Sequence, residues 1–448
     1  MIRYHARWVV PVTTPPIQDG TVVVDGAHIT YVGPRASAPA GDDYELGDTL
    51  LLPGLINTHT HLELTAMRGF LEGLTFPLWI DTLRRSRNDV LTEATLLDSA
   101  RLGIVEGLER GITTYADTCS SGVALRAMHE LGVRGIMYQE TFGPDPASCD
   151  AAMEELRQRV MLLQTQETEL LRVGISPHAP YTVSDALYRA AGAYARDAGL
   201  PMAMHIAESE DEHHFVTAGA GEFAERHRRR EIAVHPRGRS PVALLEDLGC
   251  LHNHALLIHT VRLDTGDIGT IVRTNSAVAH CPASNAKFGH GIALLTQLID
   301  AGIDVGIGSD SVASNNRMDM LEEARLAALL QSARTGNPNA VSAQTALELA
   351  TIRGARALGI ADRVGSLEVS KEADLAAFDL RAARTIPVHD PVATAIYSLS
   401  GAAARLVTVA GRPLVEDGAV IINPGLLHDR VAAVGDALAE WKSRPSPQ

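Results

Sequence analysis

Two histidines stand two residues apart in the stretch LINTHTHLEL, at the end of a run that has the composition of a buried strand. They are His59 and His61. Side chains at positions i and i+2 of a strand point to the same face, so the two imidazoles would lie side by side. Two neutral imidazoles are costly to bury together unless a cation binds them or other groups hydrogen-bond to them. The pair therefore indicates a divalent-metal site or, as the alternative, two histidines satisfied by backbone groups.

Further polar side chains follow similar runs later in the chain. They are His178 in SPHAPYTVS, His205 and Glu208 in HIAE, His259 in ALLIHTV and Asp310 in GSDS. With the histidine pair, His205 and Asp310 would give a nitrogen and oxygen ligand set suited to Zn²⁺ or Fe²⁺. Each residue alone has an ordinary alternative, and Asp310 could simply cap a helix. Their shared position after separate runs is what favours a site.

The runs that precede these residues alternate with helical patterns. Eight of them cover residues 50–61, 111–119, 133–142, 171–180, 201–208, 255–261, 275–284 and 302–311. Strands that alternate with helices form a parallel sheet, and eight of them predict an α/β fold of the (β/α)8 TIM barrel type. A doubly wound sheet is the alternative. In a barrel, chemistry occurs at the carboxyl ends of the strands, where all these polar residues fall.

The two ends of the chain differ from its middle. Short alternating strands and turn signals occur in the first fifty residues and again after residue 363. We expect residues 1–50 and 364–425 to combine into a small composite β-sandwich domain. The catalytic barrel would then span residues 51–363, and residues 426–448 would form a C-terminal helix and tail.

Composition limits the function classes. The chain has 448 residues, of which 46% are hydrophobic, so it can bury a large core. Its net charge of −15 argues against the basic surface that binding to nucleic acids or anionic membranes requires. Four scattered cysteines indicate a reducing compartment rather than a disulfide framework. No signal peptide or membrane span is evident. We expect a cytoplasmic homodimer that acts on a small molecule.

The lysines bear on the number of metal ions. All three, Lys287, Lys371 and Lys442, follow the sixth strand-like run. A barrel hydrolase that bridges two metals with a carboxylated lysine would need one on a middle strand, so we expect a single metal ion. The zinc deaminases with H-x-E and P-C-x-x-C motifs are excluded, because CPASNA has one cysteine.

Several motifs together resemble the amidohydrolase superfamily. They are PGLINTHTHLELTAMRG, SPHAPYTVS, HIAESEDE, HTVRL, CPASNAKFGHG and GIGSDSVASNNRMDMLEEARLAALLQ. The most similar branch contains S-adenosylhomocysteine and methylthioadenosine deaminases, aminofutalosine deaminases and triazine hydrolases. The resemblance covers nearly the whole chain, including ATIRGARALGI and GSLEVSKEADLAAFD.

This resemblance implies a role for each candidate residue. The implied ligands of one divalent ion, zinc or alternatively iron, are His59, His61, His205 and Asp310. Asp310 would also take the proton of the attacking water, Glu208 would shuttle a proton, and His259 would contact the water or the leaving group. His178 would contact the substrate. The implied chemistry is hydrolysis at an sp² carbon that bears an amino group.

One stretch departs from the nucleoside deaminases of this branch, in which an acidic residue after the first strand contacts the ribose hydroxyls. The comparable stretch, LTFPLWIDTLRRSRNDV, offers Asp81 and Asp89 but no glutamate. It also contains Arg84, Arg85 and Arg87. We expect these arginines, Arg84 and Arg87 above all, to meet an anionic group of the substrate, or alternatively to form a solvated basic helix face.

The segment over residues 62–90 is long enough to form a lid. Trp79 and Phe76 could stack on a substrate ring or could pack the lid against the barrel. The predicted function is hydrolytic deamination of a 5′-substituted adenosine such as S-adenosylhomocysteine, methylthioadenosine or aminofutalosine. The alternatives are a guanine or cytosine deaminase, a triazine-type hydrolase, and a metal-binding scaffold without turnover. Glu208 and His259 argue against the scaffold, which would need neither.

Overall fold

A computed structural model gives the structure of the protein and describes residues 1–252, 254–421 and 425–444. Its strands are β1 Ile2–Val9, β2 Ile17–Asp25, β3 His28–Pro34, β4 Asp42–Pro53, β5 Leu55–Thr60, β6 Ile112–Cys119, β7 Arg134–Thr141, β8 Leu171–Pro177, β9 Ala203–Ile206, β10 Leu256–His259, β11 Ala277–His280, β12 Val305–Ile307, β13 Leu375–Asp379, β14 Ala404–Val409, β15 Arg412–Glu416 and β16 Ala419–Val420.

The α-helices lie between and after these strands. They are α1 Phe76–Val90, α2 Glu93–Glu109, α3 Val123–Leu131, α4 Cys149–Gln164, α5 Asp185–Ala198, α6 Glu210–Ala218, α7 Glu222–Arg229, α8 Pro241–Asp247, α9 Thr265–Arg273, α10 Pro282–Lys287, α11 Leu295–Asp300, α12 Val312–Asn315, α13 Met320–Thr335, α14 Ala343–Leu349, α15 Ile352–Ala357, α16 Pro391–Ser398 and α17 Gly425–Ser443. No helix in the described part of the chain is long and apolar enough to cross a membrane.

The middle of the chain forms two parallel sheets of four strands each, in the orders β5-β6-β7-β8 and β12-β11-β10-β9. These are the eight strands that the sequence predicts. The two sheets meet at both edges. Thr60 bridges Asp310 in parallel, where the Asp310 amide donates to the His59 carbonyl at 2.9 Å. Ile175 bridges Met202 at the other edge.

Side chains from both sheets form one buried cluster between them. Its members include Ile56, Ala116, Ile136, Ala203, Leu256, Ile258, Ala277 and Ala279. Helices cover the outer faces of the sheets. The helix after β8 begins where Ser184 accepts a hydrogen bond from the Leu187 amide, and it ends at Gly199, whose φ of 64° suits glycine. The predicted mixed α/β content is confirmed.

The two ends of the chain share a separate sheet of eight strands, in the order β16-β15-β14-β13-β4-β1-β2-β3. Strand β13 runs antiparallel to β4, with Ala377 opposite Leu51. This confirms that both ends build one sheet domain. The described strands form a single sheet, and the two-layer sandwich stays a prediction. The last residues of the predicted tail, 445–448, lie outside the described residues.

A buried arginine ties this sheet to the central strands. Arg134, at the start of β7, donates to both carboxylate oxygens of Asp374 at 2.9 and 3.0 Å. It also donates to Glu372 at 2.6 Å. Because Arg134 and Asp374 are almost fully buried, their pairing fixes the position of the sheet domain against the strands that carry the candidate site.

Candidate metal centre and active site

Three histidines converge at the carboxyl ends of β5 and β9. His59 lies on β5, His61 follows it, and His205 lies on β9. One ring nitrogen from each lies within 4.8 Å of the others. The Nε2 atoms of His61 and His205 are 3.2 Å apart. The structure thus brings together side chains that are far apart in sequence, with their nitrogens facing one point.

Asp310 completes this group from the end of β12. Its Oδ1 lies 3.3 Å from His59 Nε2 and 3.7 Å from His61 Nε2. Its Oδ2 accepts hydrogen bonds from Ser284 at 2.5 Å and Ser314 at 2.9 Å. Because the serines occupy Oδ2, Oδ1 is directed at the histidines.

The protonation of these groups suits a cation. Burial lowers the pKa of His59 to about 4 and holds the pKa of His205 well below its ordinary value, so both rings are neutral at pH 7. Burial alone would raise the pKa of Asp310, but the adjacent His59 and His259 hold this pKa below its usual range. Neutral imidazoles with an ionised carboxylate are the state in which these side chains bind metal.

The absence of hydrogen-bond partners for His59 among the described residues also supports a metal site. Both of its ring nitrogens are buried, and neither makes a well-formed hydrogen bond to any described residue. Nδ1 of His205 is also buried without such a partner. Buried polar atoms normally find partners, and clusters of exceptions mark sites for a bound ion. The donor set therefore fits the divalent metal that the sequence predicts.

His259 is oriented by a neighbouring amide. Its Nδ1 donates to Asn285 Oδ1 at 3.0 Å, because that oxygen can only accept. Its Nε2 lies 3.6 Å from Glu208 Oε1. His259 and Asp310 have φ angles of 75° and 58°, a region that non-glycine residues seldom adopt. Such strain is typical of functional sites.

Glu208 lies after β9 and faces two imidazoles. Its Oε1 is 3.6 Å from His259 and 3.5 Å from His290. Burial would raise the pKa of Glu208, but these two histidines lower it below its ordinary value. His290 was not among the predicted site residues, although it stands in the motif CPASNAKFGHG. A histidine in a loop after a strand-like run was the available signal.

A cavity of 740 Å³ opens beside this group. Its volume lies in the range of small-molecule sites. Nine of the predicted site residues line it, namely His61, Trp79, Arg84, Arg87, His178, His205, Glu208, His259 and Asp310. His59 is buried behind them. All the predicted ligands and substrate-binding candidates therefore belong to one region.

His178 and the aromatic residues of the predicted lid line the same cavity. The ring centre of His178 lies 4.6 Å from that of His205, and its Nδ1 lies 2.8 Å from the Thr182 hydroxyl. Trp79 packs edge-on against Phe288 at 5.1 Å, and Phe76 against His290 at 4.6 Å. The lid aromatics thus pack against the loop after β11 while they also line the cavity.

The three arginines of helix α1 have different surroundings. Arg84 is 65% exposed and pairs with Asp81 at 3.3 Å. Arg85 stacks over Trp441 of α17, 5.7 Å from the ring centre. Arg87 is largely buried and donates to Glu63 at 2.9 Å and to Ser120 at 2.8 Å. Arg84 is therefore an exposed residue of the cavity wall, whereas Arg87 belongs to an internal network.

Two buried carboxylates that line the cavity, Glu63 and Glu140, were not among the predicted site residues. Burial would raise the pKa of Glu63, yet Arg87 and Ser121 lower it. Burial and the charge of Glu63 raise the pKa of Glu140 to about 8. Glu140 stands near the end of the third predicted strand, in QETF, so the argument from strand ends would have found it.

Comparison with known proteins agrees with this geometry. A profile of the Amidohydrolase family matches residues 50–414. A 5-methylthioadenosine/S-adenosylhomocysteine deaminase of Moorella thermoacetica is 32% identical over 92% of this chain and 93% of its own length. A protein of the same name from Pyrococcus furiosus is 30% identical over 92% of this chain and 95% of its own length.

Solved structures of related enzymes also resemble this chain over nearly its whole length. An adenosine deaminase from Xanthomonas campestris with bound zinc superposes with a TM-score of 0.88 at 29% identity, covering 98% of both chains. An atrazine chlorohydrolase from Arthrobacter aurescens complexed with zinc has a TM-score of 0.83 at 27% identity, covering 98% of this chain and 100% of its own. The resemblance seen in the sequence motifs is confirmed, and this chain belongs to the amidohydrolase family.

Proposed function

We propose that this protein is a metal-dependent hydrolase that removes the 6-amino group of a 5′-substituted adenosine and releases ammonia. The observation that carries the proposal is the position of Glu208. It faces His259 at 3.6 Å beside the four-residue ligand group, in a cavity that fits a nucleoside. A proton-transfer carboxylate next to a metal centre is what hydrolytic deamination needs. The names of the relatives support the substrate class.

The proposed cofactor is one divalent ion, zinc, with iron as the alternative. The ligands would be His59, His61, His205 and Asp310, and zinc in the related structures supports this choice. When bound, the ion would lower the pKa of water and so supply a hydroxide nucleophile near neutral pH. A single ion is proposed because no lysine occurs on the central strands of this sequence.

The remaining steps belong to the side chains around the cavity. Asp310 accepts one proton of the attacking water with the carboxylate whose Oδ1 faces the ligand group, while two serines hold Oδ2. Glu208, whose lowered pKa leaves it ionised, takes up the other proton of the water and delivers it to the ring nitrogen next to the reacting carbon. It also helps pass the proton held by Asp310 to the departing ammonia. His259, held by Asn285, stabilises the oxygen that develops charge. His178, Trp79, Arg84 and Arg87 bind the substrate.

The proposed architecture places these side chains at one end of the central strands. The bridges at both edges of the two parallel sheets support a single closed (β/α)8 barrel over residues 51–363. Residues 1–50 and 364–425 form the composite sandwich domain, and residues 426–448 add the C-terminal helix and tail. The protein acts as a cytoplasmic homodimer, which light scattering on purified protein and fractionation of cells would test.

A substrate screen tests the function. The candidates are adenosine, methylthioadenosine, S-adenosylhomocysteine, aminofutalosine, guanine, cytosine and atrazine, with ammonia release and the ultraviolet shift as readouts. We expect the 5′-substituted adenosines to have the highest kcat/KM. Efficient turnover of guanine, cytosine or the triazine with inert nucleosides would refute the assignment and leave the metal site standing. No turnover of any of them by metal-loaded protein would favour the scaffold.

A further inference from the structure

Glu212 is a buried carboxylate that the proposed mechanism does not use. It lies in the first turn of helix α6, and its side chain is fully buried. Its Oε1 accepts a hydrogen bond from the Ala207 amide at 2.8 Å, and its Oε2 accepts one from the Glu208 amide at 2.8 Å. The two oxygens therefore hold the two peptide groups that flank Ala207, directly beside Glu208.

This contact of Glu212 goes beyond ordinary helix capping. Ser209 is the N-cap residue of α6, and its hydroxyl oxygen accepts a hydrogen bond from the Glu212 amide at 3.1 Å. In a capping box, the glutamate three residues after the cap reaches back to the amide of the cap residue itself. Glu212 reaches one and two residues further back, into the segment between β9 and α6. The carboxylate therefore shapes that segment as well as the start of the helix.

The segment between β9 and α6 has a strained backbone. Ala207 has a φ of 52°, in the left-handed region that residues other than glycine seldom adopt. Its carbonyl oxygen accepts hydrogen bonds from the amides of Val261 and Arg262 at 2.8 and 2.7 Å. These two residues follow His259 at the end of β10. The conformation of Ala207 thus connects the backbone beside Glu208 with the backbone that carries His259.

The direction of the Glu208 side chain depends on this arrangement. Its Oε1 lies 3.6 Å from His259 Nε2 and 3.5 Å from His290 Nε2. A displacement of about 1 Å in a group that takes part in the chemistry can lower the rate by about 100-fold. We propose that Glu212 is a positioning residue, which accepts two amides and so holds Glu208 in the orientation for proton transfer. This inference rests on the proposed role of Glu208 in hydrolytic deamination and adds the residue that orients it.

A double-mutant cycle tests the coupling between the two glutamates. Glu212→Gln keeps the size of the side chain but directs an N–H donor at one of the two amides, so one contact is lost. We expect kcat to fall by about 10- to 100-fold, with KM and metal content nearly unchanged. In the Glu208→Gln background the same substitution should lower kcat no further, because the group that it positions is already inactive. A purely structural contact would lower kcat by the same factor in both backgrounds.

Asp267→Asn is the matched control. Asp267 is also buried and occupies the corresponding position in the first turn of α9. Its oxygens accept hydrogen bonds from the Asp264 amide at 3.2 Å and from the Ser240 hydroxyl, rather than from the segment that carries Glu208. Both Glu212→Gln and Asp267→Asn should lower the melting temperature, but Asp267→Asn should leave kcat near the wild-type value.

Hydrogen exchange followed by mass spectrometry adds a readout that does not depend on turnover. The peptide that covers residues 205–212 should exchange faster in Glu212→Gln than in the wild type, because the amides of Ala207 and Glu208 lose an acceptor. The same peptide should exchange at the wild-type rate in Asp267→Asn.

A folded Glu212→Gln protein with wild-type kcat would overturn the inference. So would a second, equal loss of kcat in the Glu208→Gln background, or loss of the metal from Glu212→Gln, which would place Glu212 in ion binding instead. The cycle is run on whichever compound of the substrate screen is turned over, so failure of the nucleoside assignment leaves this test intact. If no compound is turned over, the proposed function falls, whereas hydrogen exchange still shows whether Glu212 holds the segment.

Discussion

Arg87 of helix α1 donates a hydrogen bond to Glu63 at 2.9 Å, two residues beyond His61. The contact joins the helix over the cavity to the strand that supplies two of the proposed ligands. Glu63 is 4% exposed and Arg87 is 23% exposed, so water screens the pair little. The arginine of the predicted lid therefore has a structural partner, which the sequence alone did not reveal.

Replacing this arginine should destabilise the protein. Arg87→Ala leaves the carboxylate of Glu63 buried with only its serine and cysteine donors, and we expect a loss of about 1–3 kcal/mol in the free energy of unfolding. Urea unfolding measures it. Arg84→Ala, at an arginine that is 65% exposed, is the control and should change stability by less than about 0.5 kcal/mol. Equal effects of the two substitutions would contradict the finding.

The metal prediction concerns stoichiometry. Protein purified without chelator should hold one divalent ion per chain, and His59→Ala or Asp310→Asn should lose it, because each removes one of four proposed ligands. Elemental analysis measures the content. His214→Ala, at an exposed histidine of α6, should keep the ion. Two ions per chain, or none after supplementation, would refute the site.

Glu208→Gln should keep the metal and lose turnover. The amide cannot transfer a proton, so we expect kcat to fall by about two or more orders of magnitude. Steady-state kinetics on the best substrate, with metal analysis of the same sample, measures both. Glu210→Gln changes an exposed carboxylate two residues away and should leave kcat near the wild-type value. A Glu208 variant with wild-type kcat would remove this residue from the mechanism.

Asn285 should affect turnover by orienting His259. Asn285→Ala removes the acceptor of the Nδ1 proton, so the ring loses its fixed tautomer and orientation. We expect kcat/KM to fall by about 10- to 100-fold with the metal retained, which is the usual effect of removing a partner behind a site histidine. Unchanged kcat/KM would show that His259 needs no orientation. Loss of the metal would instead place Asn285 in ion binding.

Stability should depend on pH through Glu372. Burial would raise the pKa of Glu372, but Arg134 and Arg363 lower it below its ordinary 4.5. A lowered folded-state pKa means that the stabilisation is complete above about pH 4.5 and is lost as the pH falls below it. Glu372→Gln should therefore flatten the pH dependence between about pH 5 and 3. Unfolding of both proteins with chelator present measures this, and parallel curves would contradict it.

Local sequence determined much of the site. The spacing of His59 and His61 fixed their common face, because strand side chains alternate. Glu208, three residues past His205, was predicted from its position after a strand-like run and from the family resemblance, because residues three apart on a strand do not share a face. The eight strand-like runs were also evident, since apolar runs separated by amphipathic helices show in the order of residues.

Only the tertiary structure decided which groups satisfy one another. Arg87 could equally have faced solvent, and its pairing with Glu63 depends on where α1 packs. Asn285 reaches His259, and His290 reaches Glu208, because helix α10 and the residues that follow it lie against the ends of β9 and β10. The periodicity of the sequence predicts which face of an element a side chain occupies. The residue that it contacts belongs to a distant segment of the chain, which only the packing of the elements brings close. That is why the candidate ligands could be predicted from the ends of the strand-like runs, whereas the partners of Arg87 and His259 could be recognised only in the folded chain.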